Sequence, residues 1–397
     1  MRRLAWLALV AASAPACADA TFSDCLARMR AESVQRGVSL ASFDAYAAPI
    51  EPDMSVLGFL DAQPEFVTPI WDYLAALVDD ERVADGRAML VQWDEVLRKV
   101  EAEYGVDPAT VVAVWGVESN FGRNFGTRPL LTSLATLSCF GRRQGFFSGE
   151  FFTALKIVQE GSIAPERLNG SWAGAFGHTQ FMPSTFMRLA VDFDGDGRRD
   201  LVDSVPDALA STANFLRRSG WRSQERWGVE VRLPAGFDAA LAGRRNRHAV
   251  AFWAGRGVSL AAGGALPADM PDSGLLLPTG SAGPAFLVGR NFDALYAYNA
   301  AESYALAIAH LSDRMRGKGA FVQPWPTDDP GLSRRERREL QTLLLARGHD
   351  IGEADGMIGS KTREALKREQ AALGMAADGR AGQRVLKALR EATGGKP

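Results

Sequence analysis

The chain has 397 residues, 47% of them hydrophobic, with a formal net charge of -2. At roughly 100–200 residues per domain, that is enough chain for two or three packed domains. The near-neutral balance excludes a global basic field, so no nucleic-acid partner is expected.

At the amino end, Met1-Arg2-Arg3, an apolar run over 4–12 and small residues around Ala16-Cys17-Ala18 and Ala18-Asp19-Ala20 form the three parts of a secretory signal. Residues 1–20 are therefore expected to be a signal peptide and the protein periplasmic. No segment reaches the roughly 18 continuous apolar residues that a membrane helix needs, so no transmembrane segment is expected. Cys17 is a candidate lipid acceptor, but Ala14-Pro15-Ala16 lacks the leucine usual three residues upstream, which favours an ordinary cleaved signal. After cleavage Cys25 and Cys139 remain in an oxidising compartment, which points to a bridge between them; two separate buried thiols are the alternative.

Residues 21–105 read as a helical scaffold, with Leu90, Trp93, Val96, Leu97 and Val100 at helical spacing. A further helix starts at Asp107 as N-cap and Pro108 as first position, with Val111, Val114 and Trp115 marking a buried stripe. Glu118 falls on that stripe. Burial beside Val114 and Trp115 disfavours a charged carboxyl, which is how an acid keeps a proton to give to a leaving oxygen. A structural Glu bonded to backbone amides is the alternative. From Ser119 to Gly126 the helix gives way to a glycine-punctuated polar and aromatic loop, placing Glu118 at a helix end beside an opening.

Residues 130–161 continue helical, with bulk from Phe146, Phe147, Phe151, Phe152 and Leu155. Arg142 and Arg143 interrupt them, either as binders of acidic substrate groups or as solvated loop charges. Glycines 170, 174 and 177 among Trp172, Phe176 and Phe181 mark a tight loop that permits close backbone approach to a ligand, with Gln180 near its end. His178 in this loop has no serine or cysteine nucleophile motif beside it and is assigned to packing or substrate contact.

Short helices follow at 183–190 and 207–219. Between them Asp192-Phe193-Asp194-Gly195-Asp196-Gly197-Arg198-Arg199-Asp200-Leu201-Val202-Asp203 matches the oxygen-ligand spacing of an EF-hand loop. Candidate ligands are Asp192, Asp194, Asp196, the carbonyl of Arg198 and Asp203, with Asp207 as a substitute for Asp203. Hard oxygen donors select Ca²⁺, and Asp rather than Glu at the last position argues for a weaker or altered site. The alternative is a solvated acidic turn. The ion is read as structural, fixing the loop next to Gln180, and no organic cofactor is expected.

Residues 227–284 read as a small β-containing insertion and 294–316 as a helix. Three prolines within 323–330 mark a stiff linker, assigned to 321–332. A compact helical module occupies 333–393, in which the glycine turn 348–356 is echoed by 374–379. The fold class is α+β, mostly α.

Val114-Trp115-Gly116-Val117-Glu118-Ser119-Asn120-Phe121-Gly122, with Gly170-Ser171-Trp172-Ala173-Gly174-Ala175-Phe176-Gly177-His178-Thr179-Gln180-Phe181-Met182-Pro183-Ser184, resembles the lytic murein transglycosylase B family. The calcium-like loop and Tyr298-Asn299 followed by Ser303-Tyr304 match further motifs of that family in order, over residues 21–316. The resemblance implies a lysozyme-like transglycosylase domain over 21–320 that cleaves the N-acetylmuramic acid to N-acetylglucosamine bond of peptidoglycan and leaves a 1,6-anhydromuramoyl end. It implies Glu118 as the single catalytic acid and then base. Ser171 and Gln180 would line the site, Tyr298, Asn299 and Tyr304 would hold sugar and acid, and Arg142 or Arg143 would meet the peptide stem. Ala301 departs from the serine usual in the tyrosine-asparagine motif, and Asp194 stands where some members have serine. The C-terminal unit resembles a three-helix peptidoglycan-binding domain through Leu340-Gln341, Asp355-Gly356-Met357-Ile358-Gly359, Thr362, Ala365-Leu366 and Asp378-Gly379.

Two carboxylates flank the bond in an ordinary glycosidase, whereas the motifs around Glu118 supply one. The expectation is therefore substrate-assisted cleavage of glycan strands by a monomer. A hydrolytic muramidase with a second carboxylate and a non-catalytic wall-binding protein are the alternatives.

Overall fold

The computed structural model describes residues 15–60, 68–270 and 272–394, with side chains from residue 22 onward. The expected signal and the Cys17 assignment lie outside the described side chains. Among the described residues, no helix is long and apolar enough to cross a membrane. The protein is mostly helical, with small sheets, and divides into two compact units, residues 1–62 with 125–208 and residues 63–124 with 209–397.

In the first unit the helices Leu130–Phe140 and Gln144–Gln159 pack together through buried Leu134, Leu137, Phe151 and Leu155. They part at Gly141-Arg142-Arg143, where Arg143 takes a left-handed φ of 66°. Cys25 and Cys139 are bridged across a Cα separation of 5.9 Å, tying helix Pro15–Glu32 to Leu130–Phe140. A short antiparallel pair, β1 (Arg128–Pro129) and β2 (Asn169–Gly170), leads into the glycine-rich loop.

The second unit is built around helix Pro108–Ser119. Asp107 caps it, its carboxylate accepting from the Thr110 amide at 3.0 Å, and Pro108 occupies the first turn, where its missing N–H costs nothing. Every residue from 109 to 116 is buried, so the helix is covered on all sides rather than along a stripe. The reason is that Asp80–Gln92, Asp94–Tyr104 and Glu302–Met315 all pack on it.

The β insertion is a five-stranded antiparallel sheet. With β3 (Gly228–Arg232), β4 (Gly243–Ala249), β5 (Ser259–Leu260), β6 (Asp272–Leu276) and β8 (Ala285–Val288), its order is β4-β6-β8-β3-β5, and the short strand β7 (Pro278–Ser281) lies outside it. Its own core gathers Val231, Trp253, Val258, Met270, Leu275 and Leu287.

The stretch expected as one helix over 294–316 is two, Arg290–Asn299 and Glu302–Met315. Ala300 adopts φ 52°, and its N–H closes the first helix on the Tyr296 carbonyl at 2.7 Å. Alanine carries no turn signal, which is why helical periodicity runs straight through the break.

The carboxy-terminal module has three helices, Arg334–Ala346, Ser360–Ala372 and Gln383–Ala392, around Leu340, Leu344, Leu366, Leu386 and Leu389. Its echoed glycine turns are held by one device used twice. Gln341 accepts from the Gly356 amide at 2.6 Å and donates to Asp355, while Gln370 accepts from the Gly379 amide at 2.7 Å and donates to Asp378.

Residues of the proline-rich linker are bonded to the sheet. The Val322 and Gln323 amides donate to the Glu230 carboxylate at 2.7 and 2.8 Å, and Phe321 stacks on His310 with ring centroids 3.8 Å apart. His310 is buried, and that burial, helped by Arg314, pushes its pKa down to about 3. The unfolded chain, whose histidine titrates near 6.5, therefore takes up a proton that the folded chain refuses, and stability is lost as pH falls from about 6.5 towards about 3. Thermal melts between pH 7 and 5 should show a falling midpoint whose slope is reduced in His310→Leu; an equal slope in that variant contradicts the assignment.

Candidate active site

The sequence-derived candidates fall into two groups, one in each unit. In the second unit Glu118 sits in the last turn of Pro108–Ser119, half-buried. The Tyr304 hydroxyl donates to its Oε1. Tyr304 stands in the first turn of Glu302–Met315 and is 3% exposed. Its ring stacks on Tyr298, with centroids 6.1 Å apart, and Tyr298 packs in turn on Phe215 at 4.5 Å.

Burial, and next the Glu118 carboxylate, hold both phenols protonated to well above the ordinary tyrosine range; Thr212 hydrogen-bonds Tyr298. A phenol locked in its neutral form is a donor at every working pH, so Oε1 of Glu118 is held as an acceptor. Asn299 is exposed at the end of its helix. Ala301 occupies the N-cap of the next helix and supplies no side-chain cap bond, as expected where a hydroxyl has been replaced by a methyl.

The exit from the Glu118 helix is built by residues that the motif contains but whose individual roles it does not reveal. Asn120, Phe121 and Gly122 run at φ 50°, 59° and 80°. Phe121 is buried against Trp115, and only a glycine at 116 admits it, since a Cβ there would lie 2.7 Å from the ring. The Ser119 hydroxyl accepts from the Gly122 amide at 3.1 Å, and the buried Arg82 donates to the Gly116 carbonyl at 3.1 Å. A non-glycine residue at positive φ is a signal that sequence hides, because Phe favours no such conformation.

In the first unit the Gly170–Phe181 segment is a tight loop whose close approaches are made by the protein's own backbone. A Cβ at Gly177 would meet the Leu201 carbonyl at 2.4 Å. The Ser171 hydroxyl accepts from the Ala175 amide at 3.0 Å. Gln180, itself at φ 49°, donates through Nε2 to the carbonyls of Phe125 at 3.1 Å and Gly177 at 2.9 Å. His178 is buried edge-on to Phe125 at 4.6 Å, and burial pushes its pKa down to about 4, a packing role. Arg142 is exposed and reaches the Leu60 carbonyl at 3.4 Å, while Arg143 lies over the Phe146 ring at 4.4 Å.

The acidic loop lies directly under this segment, the His178 amide donating to the Leu201 carbonyl at 2.8 Å. Carboxylate oxygens of Asp192, Asp194 and Asp196 converge to within 4.8 Å of one another, all exposed. Three like charges so close repel unless a cation sits among them, so the donor set fits a hard divalent ion. Asp203 and Asp207 have other partners: Asp203 pairs with Arg167, and Asp207, buried, accepts the amides of Phe193 at 2.7 Å and Asp200 at 2.8 Å. Arg198 turns its amide onto Asp196 at 2.8 Å.

The phenol assignments can be checked by absorbance. Of the chain's six tyrosines, Tyr298, Tyr304 and Tyr104, the last pushed up to about 12, should remain un-ionised in the native protein at roughly pH 11. Tyr304→Phe should leave the native titration unchanged and lower the unfolded total by one; a native curve that loses amplitude refutes the buried donor.

Comparison with known proteins bears on both units. A transglycosylase SLT domain model matches residues 21–313, and a peptidoglycan binding domain model matches residues 333–389. The chain is 38% identical over 171 residues to membrane-bound lytic murein transglycosylase B of Escherichia coli (strain K12); the match spans 42% of this chain and 47% of that protein, about half its length. The crystal structure of SltB3 from Pseudomonas aeruginosa in complex with NAG-anhNAM-pentapeptide superposes with a TM-score of 0.75 at 46% identity, covering 93% of this chain and 99% of that one. Escherichia coli Slt35, solved in complex with calcium, superposes with a TM-score of 0.64 at 29% identity, covering 74% of this chain and 93% of that one. With a lysozyme-like core and a family match over most of its length, the chain belongs to the transglycosylase SLT domain family.

Proposed function

We propose that the protein is a lytic transglycosylase that cuts the β-1,4 bond between N-acetylmuramic acid and N-acetylglucosamine in peptidoglycan, with Glu118 as its sole acid and base. The observation that carries this reading is the Tyr304 hydroxyl bonded to Oε1 of a half-buried Glu118. That bond orients the carboxyl whose proton the reaction moves. The anhydro sugar named for the SltB3 complex supports the same product here.

In the proposed cycle Glu118 gives its proton to the glycosidic oxygen as the bond from that oxygen to C1 of the muramoyl residue breaks. The 2-acetamido group of the same sugar supports the positive charge developing at C1. Glu118, now a carboxylate, takes the proton of the C6 hydroxyl, whose oxygen closes on C1 to form the 1,6-anhydro ring. Because the nucleophile belongs to the substrate, no second carboxylate and no water are needed. Tyr298 and Asn299 are assigned to the sugar beside the acid, Ser171 and Gln180 to the glycan, and Arg142 or Arg143 to the carboxylates of the peptide stem. The carboxy-terminal module is assigned to wall binding and the site of action to the periplasm, on the strength of the amino-terminal signal pattern.

Ca²⁺ is the ion proposed for the acidic loop, held by Asp192, Asp194, Asp196 and the carbonyl of Arg198. It would neutralise the converging carboxylates and brace the backbone beneath Gln180. Its part is structural, so its removal acts on stability before chemistry.

Glu118→Gln should abolish release of anhydromuropeptides from purified sacculi while leaving sacculus binding intact, read by mass spectrometry of the digest; retained turnover, or a reducing muramic acid end in the wild-type digest, rejects the mechanism. Calcium added to chelator-treated protein should raise its melting temperature by several degrees. A midpoint indifferent to calcium rejects the ion assignment.

A further inference from the structure

The left-handed exit from the Glu118 helix is held from outside by the carboxy-terminal module. Asn120 Oδ1, two residues after the acid, accepts a hydrogen bond from Arg334 Nη2 at 3.1 Å. Arg334 is the first residue of the module's first helix, and its side chain is 9% exposed. Its backbone N–H donates at 3.1 Å to Oδ2 of Asp79, whose Oδ1 caps helix Asp80–Gln92 through the Arg82 amide at 2.8 Å. Nη1 of Arg334 lies 3.6 Å from Glu81 and 3.7 Å from Asp85. Arg82, one turn away, reaches back to the Gly116 carbonyl inside the Glu118 helix.

A buried guanidinium is costly unless well paired, so a module that merely hung from the domain would not carry one at its border. Here the guanidinium faces Glu81 and Asp85 through Nη1, and its Nη2 donates to a neutral amide. That amide is the acceptor of Asn120, a residue whose own conformation, φ 50° and ψ 49°, decides how the chain leaves the acid's helix. Docking does not depend on this bond. Arg338 binds Glu81 at 2.5 Å, Arg380 binds Asp72 at 2.7 Å, and Arg337 donates to the Ala76 carbonyl at 3.3 Å.

We propose that Arg334 is a positioning residue for the glycan-cutting reaction: by gripping Asn120 it fixes the helix exit that carries Glu118, so the wall-binding module takes part in setting the chemical step. The proposal rests on the reading of Glu118 as the catalytic acid. Catalytic groups must be held within about half an ångström of their working geometry, and a displacement of 1 Å is enough to cost on the order of a hundredfold in rate.

The test uses the full chain, a soluble tetrasaccharide of alternating N-acetylglucosamine and N-acetylmuramic acid bearing peptide stems, and purified sacculi. Arg334→Ala should lower kcat on the tetrasaccharide about tenfold with KM changed less than about twofold and sacculus binding unaltered. Asn120→Gly keeps the left-handed conformation, which glycine adopts freely, and removes only the acceptor, so it should reproduce the loss in a protein that folds normally. The double variant should be no slower than Arg334→Ala alone, because both remove one interaction. Unchanged kcat in Asn120→Gly, additive losses, or a loss confined to sacculus binding overturns the proposal. Glu118→Gln, run alongside, separates the two claims: an inactive Glu118→Gln with a fully active Asn120→Gly rejects the role of Arg334 alone, whereas an active Glu118→Gln rejects the acid itself.

Discussion

The hydrogen bond from Tyr304 to Glu118 joins positions 186 residues apart, and much of the second unit is arranged so that it forms. Helix Glu302–Met315 packs on Pro108–Ser119, which sets the two backbones side by side. The chain must break at Ala300 and restart at Glu302 for the phenol to arrive in a first helical turn. Tyr298, itself packed on Phe215, stacks on the Tyr304 ring, and burial keeps that phenol neutral and a donor. A carboxyl held by such a partner has its orientation set, because Oε1 of Glu118 is committed as an acceptor.

The first unit solves a different problem, how to hold an irregular loop rigid. Its glycines let strands of backbone touch, as at Gly177 over Leu201, and Gln180 ties its own turn to Phe125. Beneath lies a loop of aspartates, four of them folded onto amides of their own segment: Asp192 accepts from Gly195 and Gly197, both at 2.8 Å, Asp194 from Asp196 at 3.3 Å, Asp196 from Arg198 at 2.8 Å and Asp200 from Val202 at 2.8 Å. Such turns pre-shape the ligand oxygens, while buried Asp207 anchors the loop to the helix that follows.

Local chemistry was legible in sequence wherever one residue type has one reason to stand in place. Asp107-Pro108 predicted a helix start and stands at one, and of the carboxylates picked out by the cation-loop spacing Asp192, Asp194 and Asp196 converge. Less legible was anything set by remote packing. The apolar residues of Pro108–Ser119 suggested a stripe, yet three helices cover it on all sides. The break at Ala300 has no local signal. Asn120 and Arg334, 214 residues apart, carry no shared pattern that would pair them. Positive φ at Phe121 is a tertiary outcome, imposed by the slot that Gly116 leaves open.

The segment between the sheet and the carboxy-terminal module is fastened along its length. Its amides are clasped by Glu230, its Phe321 is wedged against His310, and Asp329 further along is bound by Arg380. A tether fastened at both ends has no slack. Flexible linkers act by raising effective concentration, a statistical gain that depends on contour length. Here the gain is replaced by a fixed offset: whatever the module grips is delivered at one set distance and bearing from Glu118, so reach is governed by hard geometry instead of chain entropy.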